Sequence, residues 1–144
     1  MGTNRLELIH LSGSGTFEMP YTPAIKVLSG VPVYLAGVTA APVYHSHPHV
    51  AEEFDGVPED PGLQAEGTMD NLAAVLEAAG ADLGDVVEVT RYIVDIERNQ
   101  DAINRVLGVR FGSHRPATTT VEVSRLATDP RLVLELKAVA VVDS

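Results

Sequence analysis

The segment RLVLELKAVAVV, residues 131–142, limits what this chain can fold into. Leu132, Leu134 and Leu136 alternate with Val133, Glu135 and Lys137, the period-two pattern of a strand. Leu and Val fall on both faces, more than one layer of helices can bury. A sheet with helices on one side and another copy of the chain on the other is therefore expected.

The other segments supply the partners of that strand. LELIHLSG (6–13) reads as a first strand ending in Gly and Ser. KVLSGVPVYLAG places Ser29-Gly30 between two apolar runs and predicts a hairpin. Residues 38–60, with Pro42, Pro48, Pro58 and several acids, read as a long loop. Asp60-Pro61 predicts a helix start, with Asp as cap and Pro at the first helical position. Leu63, Met69, Leu72, Ala73, Leu76 and Ala79 then form one stripe that stops at Gly80. DVVEVTRYIVD (85–95) is a strand, and NQDAINRVLGVRFG (99–112) a second helix with Ile103, Val106, Leu107 and Phe111 on one face. TTTVEV (118–123) is a further strand. The order is three strands, helix, strand, helix, two strands, an α+β sandwich with both helices on one sheet face, in one domain spanning 1–144.

Composition narrows the function classes. The 144 residues include no cysteine, which excludes disulfides, thiolate metal sites and a cysteine nucleophile. The formal charge of −10 disfavours binding to phosphate backbones, and with it a ribonuclease activity. No apolar run reaches the roughly 20 residues that span a bilayer, and no leader pattern opens the chain, so a cytoplasmic, membrane-free protein is expected.

NLAAVLEAAGADLGDVVEVTRYIVD (71–95), INRVLGVRFGSHRPATTTVEV (103–123) and LELKAVAVV (134–142) resemble the RidA/YjgF (L-PSP, reactive-intermediate deaminase) family. PYTPAIKV (20–27) and VYLAG (33–37) extend the likeness more loosely. The resemblance implies a chorismate-mutase-like sandwich assembled as a homotrimer, with ligand clefts between protomers. It implies a small-molecule deaminase, no cofactor and no metal. In the family an arginine of a P-A-R-S motif clamps a substrate carboxylate; here Pro116-Ala117 are followed by Thr118. A glutamate four positions on, thought to orient water, corresponds to Glu122. Tyr21, Gly37, Tyr92 and Asn104 fall on other cleft positions. The carboxylate clamp is thus replaced, which implies a divergent subgroup with weak or no 2-iminobutyrate-type activity. An enamine, imine or 2-aminomuconate-like substrate is expected; the alternative is a non-catalytic trimer that binds a metabolite in the same clefts.

Imine hydrolysis needs a held substrate, a water and a proton carrier. Glu122 is the expected base, although a strand carboxylate facing solvent or paired with Arg125 would look the same. Thr118 and Thr120 share its face by strand parity and can offer hydroxyl hydrogen bonds, or serve only as strand formers. His114 and Arg115 precede the motif, in a loop that solvent or the cleft can occupy. In YHSHPHVAEEF (44–54), His45, His47 and His49 share a face on an extended strand, but Pro48 interrupts it. Three readings stay open: a metal site with Glu52 or Glu53 as an oxygen ligand, a solvated polar loop, or a loop folded over the cleft. The expectation adopted is the third. It places His47 as acid/base and His45 and His49 as ligand contacts, without a metal.

Overall fold

The computed structural model describes residues 5–13, 15 and 17–144; residues 1–4, the start of the stretch read for a leader, lie outside them. In chain order the elements are β1 (Leu6–Ile9), β2 (Ala24–Val27), β3 (Val31–Tyr34), α1 (Pro61–Ala78), β4 (Val86–Val94), α2 (Ile96–Phe111), β5 (Ala117–Val123) and β6 (Leu134–Val142). A four-stranded sheet runs β3-β6-β4-β5, and β1 and β2 form a separate antiparallel ribbon. Only β4 and β5 pair in parallel within the larger sheet, with α2 as their crossover. This is the expected mixed sheet carrying two helices.

β6 is central because its alternation suits two different surfaces. Leu134, Leu136, Ala138 and Ala140 are buried with Val89 and Ile93 of β4 against Met69, Leu72 and Leu76 of α1 and Ile103 and Leu107 of α2. Val133, Glu135, Lys137 and Val139 occupy the opposite face by the same parity. Among the described residues, no helix is long and apolar enough to cross a membrane.

The expected hairpin around Ser29-Gly30 does not form. β2 pairs with β1, and β3 pairs with β6 through Val31↔Val142. Gly30 has φ 107° and lies so close to the end of β6 that a Cβ would sit 2.5 Å from the Val142 carbonyl oxygen. Only glycine fits there, and it redirects the chain instead of folding it back.

Helix α1 starts as expected, with the Asp60 side chain accepting from the Leu63 N–H at 2.9 Å. Met69, Leu72 and Leu76 of the expected stripe are buried, but in the first turn Leu63 is exposed and Gln64 is buried in its place. The Gln64 amide donates to the Arg131 carbonyl at 2.8 Å and accepts from the Val133 N–H at 2.9 Å, so it fastens α1 to the segment entering β6. Helix α2 begins earlier than expected, at Ile96. Asp95 is left-handed (φ 49°) and makes no side-chain cap. A glutamate from β5 supplies the cap instead, as described below.

The long loop after β3 is anchored at several points. Asn71 donates to the Thr39 and Ala41 carbonyls, each at 2.8 Å. Phe54 is buried with Ala41, Leu126 and Leu132 in a second, smaller core. Arg131 reaches Asp55 at 2.9 Å, the Ala51 carbonyl at 2.8 Å and Asp129 at 2.9 Å. That contact holds the Asp129 carboxyl below the usual carboxylate range.

Gln64→Leu keeps the volume but orphans the Arg131 carbonyl and the Val133 N–H. At ~1–3 kcal/mol per unsatisfied buried group, the expected loss for the two is about 2–6 kcal/mol in chemical denaturation. A surface-like effect below about 0.5 kcal/mol would show that the Gln64 bonds do not hold α1 to β6.

Candidate functional site

The sheet face away from the helices carries a half-buried carboxylate, Glu135. Glu135 lies beside Tyr92 in the β4–β6 register. Val38 and Leu136 exchange two backbone hydrogen bonds of 2.9 Å, which brings Gly37 alongside. A Cβ at Gly37 would fall within the Glu135 carboxylate, so glycine makes room for that group. Burial pushes the Glu135 carboxyl above the usual range. Among the described residues it takes no hydrogen bond and no ion pair. Lys137, two residues on, turns its ammonium to the Leu35 carbonyl at 3.3 Å instead.

Glu122 lies on the other side of the sheet. Thr118, Thr120 and Glu122 register with Val89, Arg91 and Ile93 of β4, and residues in register across parallel strands share a face. The Glu122 carboxylate accepts from the Ile96 N–H at 3.0 Å, at the positive end of α2. The structure thus gives Glu122 a capping contact and separates it from Tyr92 and Gly37.

A third group gathers where β5 begins. The Thr22 N–H donates to the Pro116 carbonyl at 3.3 Å, and the Thr22 hydroxyl donates to the Arg115 carbonyl. This joins the early Tyr21-Thr22 pair to the Pro116-Ala117-Thr118 motif, with Tyr21 at the rim of an open cleft beside His114 and Arg115. A smaller cavity of about 160 Å³ lies behind, lined by Pro20, Arg91, Asn104, His114 and Thr118 among others. Thr118 spends its hydroxyl on the Pro116 carbonyl at 3.0 Å. Asn104 accepts from Arg91 at 2.6 Å. The Arg91 Nε is buried with no partner among the described residues, and burial lowers the guanidinium from its ordinary value. Sequence reasoning missed this cation and Glu135. The available signals were one arginine inside a β-branched run and one glutamate in the alternation of β6.

The histidines form the remaining group. Their rings pack with centroids 4.8–5.3 Å apart, and His45 and His49 meet the ring of Phe54 edge-on. His45 Nδ1 lies 2.8 Å from the Pro42 carbonyl. Tyr92 packs against the small core that contains Phe54, so the loop borders the Glu135 face at one end.

Residues 16–142 match the family model described as Endoribonuclease L-PSP. A RutC family protein of Pyrococcus abyssi (strain GE5 / Orsay) is 38% identical over 121 residues, covering 84% of this chain and 85% of that protein. The protein named 2-iminobutanoate/2-iminopropanoate deaminase in Escherichia coli (strain K12) is 36% identical over 88 residues, 59% of this chain and 66% of its own. YyfB of Yersinia pestis, a protein of unknown function in the conserved Rid family, has a crystal structure that superimposes with a TM-score of 0.76 at 27% identity. That superposition covers 96% of this chain and 99% of the other. The crystal structure of the Escherichia coli YjgF product gives a TM-score of 0.62 at 29% identity over 85% and 87% of the two chains. The chain belongs to the L-PSP family, the RidA/YjgF group that its own motifs resemble.

Proposed function

We propose that the protein is a small-molecule deaminase or related hydrolase of an enamine, imine or 2-aminomuconate-like compound. The observation that carries this reading is Glu135, a partly desolvated carboxylate between Gly37 and Tyr92 that has no partner among the described residues. A carboxylate raised by burial is a stronger base near neutral pH than a solvated one. In the proposed step Glu135 takes a proton from water as the oxygen bonds to the carbon of a protonated C=N group. That proton passes to the nitrogen, the freed Glu135 carboxylate takes the remaining hydroxyl proton as the C–N bond breaks, ammonia leaves behind a carbonyl, and Glu135 returns the proton to solvent. Glu135 therefore takes the role that the sequence comparison gave to Glu122. The name of the Escherichia coli relative supports this class of reaction.

The active unit proposed is a homotrimer with the cleft between protomers. Glu135 lies on one sheet face and Arg91 and Thr118 on the other, which favours a cleft in which the two groups come from two chains. Exposed Leu8, Val27, Val31 and Tyr34 on the outlying strands give apolar surface for the assembly. Sedimentation should show a stable trimer at micromolar concentration, and a monomer there would remove the shared cleft.

Thr118 carries no charge for a substrate carboxylate. The missing ion pair costs about 1.5–3 kcal/mol, roughly ten- to a hundredfold in rate on 2-iminobutyrate-type substrates. The same neutral threonine favours the second reading, a trimer that binds a metabolite without turning it over.

Ammonia release across a panel of enamines and imines separates the two. Glu135→Gln should lower turnover by about 10²–10⁴-fold while keeping the assembly. Glu122→Gln should keep turnover and lower thermal stability through the weakened α2 cap. The reverse pattern would return the chemistry to Glu122, and no turnover by the wild type leaves the binding reading.

Linkage adds a further readout. The folded pKa of Glu135 is raised, so its contribution to stability is complete below the unfolded value and is lost as pH rises through the folded value. Relative to wild type, Glu135→Gln should therefore gain more thermal stability at neutral pH than near pH ~4. An equal gain at both would mean that Glu135 is not desolvated in the assembled protein.

A further inference from the structure

We infer that His45, His47 and His49 form a three-histidine site for a borderline divalent transition metal of the zinc class. One ring nitrogen from each residue lies within 4.8 Å of the others, and among the described residues this is the group whose ligand atoms come that close. The sequence left a metal site open as one of three readings, and Pro48 interrupting the strand parity kept it from being the one adopted. The backbone here is a bend, not a strand, and it turns all three rings to one point.

The surroundings are those of a built site. His45 sets Nδ1 toward the Pro42 carbonyl at 2.8 Å, which fixes the Nδ1–H tautomer and leaves Nε2 as the ligand. Metal-bound histidines commonly use their second nitrogen in this way. The Ser46 N–H and hydroxyl each donate to Glu53 at 2.8 Å, one to each carboxylate oxygen. Glu53 thus braces the loop between His45 and His47, which occupies one of the two carboxylates, Glu52 or Glu53, that the metal reading offered as an oxygen ligand. Phe54 supports His45 and His49 from beneath and is itself buried. Arg131 holds the turn that carries Phe54 through the Ala51 carbonyl and Asp55.

Zinc–nitrogen bonds of about 2.0–2.1 Å put tetrahedral ligand atoms ~3.3 Å apart. The rings must close by roughly 1.5 Å at most, a rotamer adjustment open to side chains of which two are exposed. Without an ion the three nitrogens bring lone pairs or protons to one point; an ion turns that crowding into bonds. Three imidazoles without thiolate suit zinc, cobalt, nickel or copper better than magnesium or calcium. The fourth position opens to solvent, the arrangement of a site that accepts water or a ligand group. This assignment replaces the proton-transfer role expected of His47 and does not depend on the deaminase reading.

The test uses the full chain without a histidine tag, stripped with a chelator. Cobalt(II) titration followed by visible absorption should saturate at one ion per chain with the ligand-field bands of a low-coordinate nitrogen site. Zinc(II) should displace it in competition with a chromogenic chelator. His45→Ala, His47→Ala and His49→Ala should each weaken zinc binding by at least about a hundredfold, and Glu53→Gln by roughly ten- to a hundredfold. His10→Ala should bind like wild type. Zinc should also slow amide exchange across residues 42–58 of wild type and not of His47→Ala, with unchanged circular dichroism confirming that the variant folds. Stoichiometric binding that survives His47→Ala, or wild type that binds no cobalt or zinc at micromolar concentration, overturns the site. Neither readout uses turnover, so its failure is distinct from that of the proposed reaction.

Discussion

The buried amide of Gln64 is the contact on which much of the structure depends. It bonds the backbone on both sides of Leu132 and so fixes how the chain enters β6. The residue whose carbonyl it holds, Arg131, sends its guanidinium the other way, to Asp129, Asp55 and the Ala51 carbonyl. One short segment therefore sets the register of the central strand and seats the histidine loop. Placing a polar group at full burial is costly unless both of its functions are met, and here both are. The same bonds explain why Gln64, and not Leu63, is buried at the start of the helix stripe read from the sequence. Hydrophobic periodicity assigns a glutamine to the solvent side, and only the tertiary partner reverses that choice.

Strand parity separates what the sequence showed from what it hid. The order of elements, the mixed sheet, the single helical face and the Asp60-Pro61 start were legible because each follows from local chemistry. The pairing of β2 with β1 was not, since a Ser-Gly turn between apolar runs is the usual hairpin signal. The crowding at Gly30 against Val142 is a contact across more than a hundred residues, invisible to local patterns.

The site was half legible for a related reason. Motif likeness brought Tyr21, Gly37, Tyr92 and Thr118 into view, and the structure does join Tyr21-Thr22 to the Pro116 motif and sets Gly37 and Tyr92 on either side of Glu135. Choosing between two glutamates required knowing which sheet face each one occupies. Glu122 and Ile93 share the helix side, whereas Glu135 and Tyr92 share the other. A carboxylate at the end of a helix is satisfied by the helix dipole. A carboxylate on a half-buried sheet face with no partner keeps its chemical potential for a substrate, which is why perturbed groups collect at working sites.

Phe54 brings these features together. Its ring lies in the small core that Tyr92 packs against, and two of the three histidines rest on its edge. Tyr92 in turn neighbours Glu135 across β4 and β6. An ion that draws the three imidazoles together would press on Phe54 and restrict the loop that borders the Glu135 face. Coupling of this kind needs a contiguous set of packed groups, and here the candidates are the imidazoles, Phe54 and the small core against which Tyr92 packs. The histidine loop would then influence the cleft through order in its wall, without contributing a proton. That separates its contribution from the chemistry of Glu135 and leaves each readable on its own.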